Sequence, residues 1–255
     1  MTLNPEEGKA FGNISVLYDA ARITYPEQLI ADIIDFSNIK PKGTILDIGC
    51  GTGQATLPLV QKQFKVTGLD ISQQMIDVAK EKCPNADFKV GTFEDAELAE
   101  NTFDLIVSGM AWHWVSSKNR YNKVHRILKE NGTLALFWSY QQKEKSEFVM
   151  AVSKILDKYD GVNRGPAGSL VKETADKDYN DLKKSDLFAS VDIKTYEVNF
   201  DYTLQNYIDL VTSYGWVQKL PDDKRTNLIK DLNELSNSFT EPLSVPYCFI
   251  LVLAK

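Results

Sequence analysis

Ten residues, ILDIGCGTGQ from Ile45 to Gln54, combine an acid with three glycines at alternate positions. Asp47, Gly49, Gly51 and Gly53 follow an apolar run, and the helix-forming stretch QATLPLVQKQ comes next. Glycine lets a chain turn sharply and lets a ligand approach the backbone closely. The N-terminus of the following helix adds unpaired N–H groups that attract negative ligand atoms. Seventeen residues past Gly53, Asp70 closes a second apolar run, FKVTGLD. An acid at that point is placed to accept hydrogen bonds from both ribose hydroxyls. Strand, glycine turn, helix, strand and acid together read as a nucleoside-binding half-fold. A dinucleotide site would need G-x-G-x-x-G to seat a pyrophosphate. Counted from Gly49 or from Gly51, the third glycine falls on Gln54 or Thr56, so that fingerprint fails in both frames. A P-loop fails as well, because no Gly-Lys-Ser/Thr follows.

A second stretch, SGMAWHWVSS from Ser108 to Ser117, gathers half the histidines and half the tryptophans of the chain on Trp112, His113 and Trp114. It follows the apolar run FDLIV. Ligands of open α/β sheets bind beyond the carboxyl ends of the strands, so this turn is expected beside the glycine turn. His113 has two available jobs there. For a hydroxyl or phenol substrate it takes a proton as a base near pH 7. For a carboxylate, already ionised at that pH, it only orients the group, and proximity does the rest. Wall packing of His113 and one tryptophan is the competing reading.

Seven strand-like segments alternate with helical ones to position these residues. TILDIG, FKVTGLD, DFKVGT, FDLIVSG and TLALFWS read as strands separated by helices, which argues for a doubly wound parallel sheet. VDIKTYEVNFDY and SVPYCFILVLAK supply two more. PEQLIADIIDF carries Leu29, Ile30, Ile33 and Ile34 at helical spacing, with Pro26 suited to a first turn. Ser72 is placed to cap the helix QQMIDVAKEKC. Ser117 is placed to cap KNRYNKVHRILKE, with Gly132 as its C-terminal stop. SEFVMAVSKILDKY reads as a further helix. Residues 203–240 read as a helical insertion between the last two strands. With the N-terminal stretch, about residues 1–38, that insertion is expected to form a lid over the carboxyl edge of the sheet.

LDIGCGTG resembles the first motif, and GLDIS the second, of the class I S-adenosylmethionine-dependent methyltransferases. FDLIVSGMAWHW and RILKENGTLALFW are similar to their fourth- and fifth-strand blocks. The A-x-H-W turn and the segment YDAARITYP resemble the methyltransferase-11 type, which includes trans-aconitate methyltransferase-like small-molecule enzymes. The resemblance covers about residues 14–140. It implies an α/β, doubly wound, mostly parallel seven-stranded Rossmann-like sheet with one antiparallel strand near the edge. It implies that Asp47, Gly49, Gly51 and Gly53 surround the methionine moiety, that Asp70 holds the ribose, and that Ile71 packs on the adenine. It assigns the adenine edge to the Thr92 hydroxyl, the Phe93 N–H and the Glu94 carboxylate. Tyr18 and Arg22 would close over the cofactor, the arginine pairing with its carboxylate. The aromatic faces of Trp112 and Trp114 suit a sulfonium cation, and Tyr214 and Trp216 in the lid are candidates for the substrate pocket. No carboxylate cluster suggests a metal.

With 255 residues, 43% hydrophobic and 25% charged, the chain is long enough for a sizeable core and reads as one methyltransferase domain with a cofactor-binding core at about 40–140. Thirty-five acidic against 29 basic residues, a net charge of −6, argue against nucleic acid as a partner. MTLNPEEGKAF has no signal-peptide pattern, and the longest apolar run, CFILVLA, is too short to span a bilayer. Three scattered cysteines fit a reduced, cytoplasmic setting. The sequence reading is therefore methyl transfer to a small molecule at a carboxylate or hydroxyl oxygen. Methylation of RNA or protein, and cofactor binding without turnover, are its alternatives. It assigns no oligomeric state.

Overall fold

The computed structural model describes residues 24–160, 168–236 and 238–255. Seven strands form one sheet in the order β3-β2-β1-β4-β5-β7-β6. They are β1 (Thr44–Ile48), β2 (Lys65–Asp70), β3 (Asp87–Val90), β4 (Phe103–Gly109), β5 (Leu128–Gln141), β6 (Val191–Tyr202) and β7 (Leu243–Ala254). Pairs within β3-β2-β1-β4-β5 are parallel, whereas β7 runs antiparallel to both β5 and β6. The central strands are buried on both faces: β1 buries everything from Ile45 to Ile48, and β4 buries Leu105 to Ser108, with Asp47 and Ser108 as the polar members of these stretches. Such runs belong to parallel strands covered on both sides.

Helices α1 (Glu27–Ser37), α2 (Thr56–Gln61), α3 (Gln73–Lys82) and α4 (Arg120–Ile127) connect or flank these strands. The Ser72 hydroxyl accepts the Met75 N–H at the start of α3, as expected from the sequence. Helix α4 is shorter than its apolar pattern implied. Asn119, not Ser117, occupies its N-cap position, and β5 begins at Leu128, so Gly132 lies inside the strand and does not stop the helix. The sheet claims Leu128 because it pairs with Phe103 across a register shift.

Helix α1 does not behave as a lid. Leu29, Ile30 and Ile33 are buried in the same apolar cluster as Phe137 and Phe249, so the helix packs on a face of the sheet. Residues 1–23, including Tyr18 and Arg22, lie outside the described residues. Helices α5 (Glu147–Asp160) and α6 (Ser169–Lys184) precede β6. The expected insertion between β6 and β7 comprises α7 (Leu204–Thr212), the short α8 (Gly215–Gln218) and α9 (Asp222–Ser236). Because Tyr202 pairs with Leu243, the insertion leaves and re-enters at the carboxyl edge of the parallel strands. There it buries Tyr207, Ile208, Val211, Leu228 and Leu232 in that same cluster. Among the described residues, no helix is long and apolar enough to cross a membrane.

Candidate active site

Beyond the carboxyl ends of β1, β2 and β4 lies a cleft of about 520 Å³, within the range of small-molecule and cofactor sites. The glycine turn forms its floor. Gly49 has φ +69° and Gly51 φ +53°, left-handed values that a side chain opposes. A Cβ on Gly51 would meet nothing within 4 Å, so its backbone is open to the cleft. A Cβ on Gly49 would fall 2.3 Å from Cβ of Ala111, where the turn after β4 passes close by.

Gly53 departs from the expectation. It does not line the cleft; it turns at φ +83° against α3, where a Cβ would meet the Cys83 sulfur at 3.2 Å. Its lack of a side chain serves packing behind the turn.

Two acids stand at the head of the cleft. Asp70 sits at the end of β2. One of its oxygens accepts the Gly51 N–H and the other the Ser72 N–H, each at 2.9 Å. A carboxylate offers about four acceptor positions, so Asp70 braces the glycine turn and retains capacity for a ligand. Burial raises its pKa, and the backbone donors offset part of that. Asp47, 1% exposed, accepts the Thr56 hydroxyl at 2.7 Å through Oδ2. Its Oδ1 is buried with no partner. Burial, and then the charge of Asp70, push the Asp47 carboxyl up to about 7. A buried acceptor without a donor is costly, and this one belongs to a residue that lines the cleft.

The wall opposite is the turn after β3. Ile71, Thr92, Phe93 and Glu94 all line the cleft. The Thr92 hydroxyl is engaged with the Asp95 carboxylate at 2.8 Å. Glu94 Oε1 accepts the Ser116 N–H at 2.7 Å, tying this turn to the loop after β4.

That loop carries the Trp-His-Trp sequence as a 3₁₀ turn. Three residues complete one such turn, so three consecutive side chains point in three directions. His113 and Trp114 line the cleft, with ring centroids 5.3 Å apart. Trp112 does not, and its assignment to the substrate pocket is corrected: it is fully buried behind the turn, against Phe93 and Tyr121, with the Arg120 guanidinium over its ring. Burial holds the His113 pKa down at about 4, so its imidazole is neutral at pH 7. Tyr214 and Trp216 are corrected likewise. They pack half-buried against the cluster that includes Tyr207 and Val211, and neither lines the cleft. His125 stacks edge-on against Phe188, a packing role.

The cleft residues not singled out from the sequence include Tyr25, Met110 and Ser139. Tyr25 packs edge-on against Phe137 at 4.7 Å. Met110, at φ +56°, turns the chain out of β4, and its sulfur accepts the Ser139 N–H at 3.0 Å. Ser139 lies on β5 beside them. The position of TLALFWS next to the fourth strand was the available signal for Ser139. Met110 carried none, since a non-glycine residue at positive φ leaves no mark in composition. Among the described residues, no group of three or more histidines, cysteines and acids is arranged to hold a metal.

Comparison with known proteins agrees with this geometry. Residues 45–132 match a family model described as a methyltransferase domain. An uncharacterized methyltransferase of Schizosaccharomyces pombe is 28% identical over 232 residues, spanning 89% of this chain and 87% of that protein. The solved structure of a putative type II methyltransferase from Anaeromyxobacter dehalogenans superposes with a TM-score of 0.64 at 17% identity, over 91% of this chain and 96% of that one. The phosphoethanolamine N-methyltransferase 2 of Haemonchus contortus, solved in complex with S-adenosyl-L-methionine, gives 0.53 at 16% identity over 94% of this chain and 56% of that one. Glycine turn, sheet order and sequence relatives together define this chain as an S-adenosylmethionine-dependent methyltransferase.

Proposed function

We propose that the cleft binds S-adenosylmethionine and that the chain methylates an oxygen of a small molecule, a carboxylate in preference to a hydroxyl. The residues present fit this cofactor. The partnerless Asp47 Oδ1 matches an ammonium donor, and the open face of Gly51 leaves room for the methionine chain. Asp70 would hold the ribose hydroxyls and Ile71 would pack on the adenine, with Thr92, Phe93 and Glu94 along the adenine edge. Tyr18 and Arg22, outside the described residues, would close over the cofactor, the arginine pairing with its carboxylate. When bound, the cofactor supplies an electrophilic methyl group on a sulfonium.

The observation that carries the choice of substrate is the burial of His113 in the cleft wall, which favours a neutral imidazole. General bases work best with a pKa near the working pH. An imidazole held at about 4 is a weak proton acceptor for a hydroxyl. A carboxylate needs no such acceptor near pH 7, and a neutral imidazole N–H can donate to it. Among the described residues neither ring nitrogen of His113 has a partner, which leaves the ring available for that contact. Trp114 and Tyr25 would exclude water and fix the approach. The insertion α7–α9 would complete the substrate side.

The test is incubation with methyl-labelled S-adenosylmethionine and a whole-cell extract. Label is expected in the low-mass fraction and released by mild alkali, as a methyl ester is and an ether is not. Label that precipitates with protein or RNA overturns the small-molecule reading. Binding without transfer to any acceptor favours a non-catalytic role. His113→Gln should lower turnover by about tenfold or less, against the 10²–10⁴-fold typical of a lost general base.

A further inference from the structure

Two side chains one turn apart on α4 reach different walls of the cleft. Lys123 sends its ammonium to three backbone carbonyls: Phe93 at 2.6 Å, Ala96 at 2.8 Å and Glu94 at 3.0 Å. An ammonium has three N–H donors, so this one is saturated by the turn after β3. It also lies 5.0 Å from the centroid of the Phe93 ring. Arg120 donates to the Val115 carbonyl at 3.1 Å, holding the loop after β4, and is itself fixed by Asp178, which also accepts the Tyr121 hydroxyl. Glu94 joins the two walls, accepting the Ser116 N–H at 2.7 Å and the Ser116 hydroxyl at 3.3 Å.

We infer that Lys123 is a positioning residue for the cofactor: by gathering the carbonyls of Phe93, Glu94 and Ala96 on one cation it holds the Thr92–Glu94 wall in binding geometry, and through Glu94 it holds the Ser116 backbone. The inference rests on the cofactor reading above. Three carbonyl dipoles aimed at one point repel one another unless a cation occupies it. A lysine with every donor given to the main chain has none left for a ligand, so it acts through the turn and not by contact. Lys123 is only half-buried, so water can replace part of what it provides. Its removal should therefore cost little fold stability. The turn would then have to be ordered at the expense of binding.

The experiment measures S-adenosylhomocysteine binding by calorimetry for the unmodified protein, Lys123→Met and Lys123→Arg, with urea midpoints and amide hydrogen exchange of the free proteins. The expected results are at least tenfold weaker binding for Lys123→Met with a nearly unchanged midpoint, and recovery of most of that loss in Lys123→Arg. The Ser116 amide should exchange faster in Lys123→Met while β7 amides do not change. Should Lys123→Met fail to fold, Lys123→Gln replaces it with the same expectation. Failure of the unmodified protein to bind refutes the cofactor reading itself. Normal binding there, with Lys123→Met within twofold and Ser116 exchange unaltered, refutes the positioning role. Equal losses in the Met and Arg variants, in step with lower midpoints, make Lys123 merely structural and refute it too.

Discussion

Replacing Asp47 by asparagine should make this protein more stable and less able to bind its cofactor. In the folded chain the Asp47 carboxyl is raised from 3.8 to about 7, chiefly by burial. The native state thus holds a proton that the unfolded chain releases near the ordinary carboxylate value. Folding stability from this group is complete below the unfolded pKa and is lost as pH rises through the folded one. Each pH unit in that window is worth about 1.4 kcal/mol. Between pH 5 and pH 8 the native chain should therefore lose about 3 kcal/mol that Asp47→Asn does not lose. Asparagine can still accept the Thr56 hydroxyl, so the difference isolates the charge. Urea unfolding of both proteins across that range measures it, the midpoint difference scaling with the slope of the transition. The stability gap should widen with pH and level off above about 7. Calorimetry with S-adenosylhomocysteine should show weaker binding by the stabilised variant. A gap that stays constant from pH 5 to pH 8 refutes the argument, because Asp47 would then titrate alike in both states.

Other outcomes follow from the same contacts. Asp70→Ala should abolish cofactor binding in calorimetry and, by orphaning the Gly51 and Ser72 N–H groups, lower stability by about 1–3 kcal/mol. Normal binding would refute the ribose assignment. Gly49→Ala should destabilise the chain through both its positive φ and the Ala111 contact, and adding Ala111→Gly should restore only the steric part, read as a coupling in a double-mutant cycle. Trp112→Ala should cost about 3–5 kcal/mol in denaturant unfolding, as emptied aromatic core sites do, whereas a tryptophan in the cleft wall would cost far less.

The half of the site that depends on local chain chemistry was legible in the sequence. Glycines at positive φ, an acid at a strand end and a serine at an N-cap each do their work within a few residues, and Gly49, Gly51, Asp70 and Ser72 stand where their types require. The half that depends on which way a turn faces was not. Trp112, His113 and Trp114 have the same local composition whichever of them points inward, and only the packing of Phe93, Tyr121 and Arg120 selects Trp112. Tyr214 and Trp216 were displaced for a similar reason: an aromatic residue in an insertion satisfies a core as readily as a pocket. All seven strands were readable, the central ones from apolar runs and β6 from its alternation, but helix α6 was not singled out. Its buried side include Asp178, whose place inside is explained only by Arg120 and Tyr121, residues more than fifty positions away. The shortened α4 shows the same limit, since a long-range strand pairing took Leu128 from the helix.

Strand β7 has a consequence for how this protein comes into being on the ribosome. It is buried along almost its whole length and lies between β5 and β6, both of which are synthesised before it. Strands β1 to β5 can pair in parallel as they emerge, so the glycine turn and Asp70 can be assembled early. The far edge of β5, an apolar row from Leu134 to Trp138, must wait for partners about a hundred residues downstream. Such distant pairing is slow to form, and an open apolar strand edge recruits other chains. A nascent chain halted before Leu243 would carry a nearly finished nucleoside site beside two unpaired edges. Such an intermediate is open to aggregation, and its vulnerability ends when the β7 residues slide into the gap.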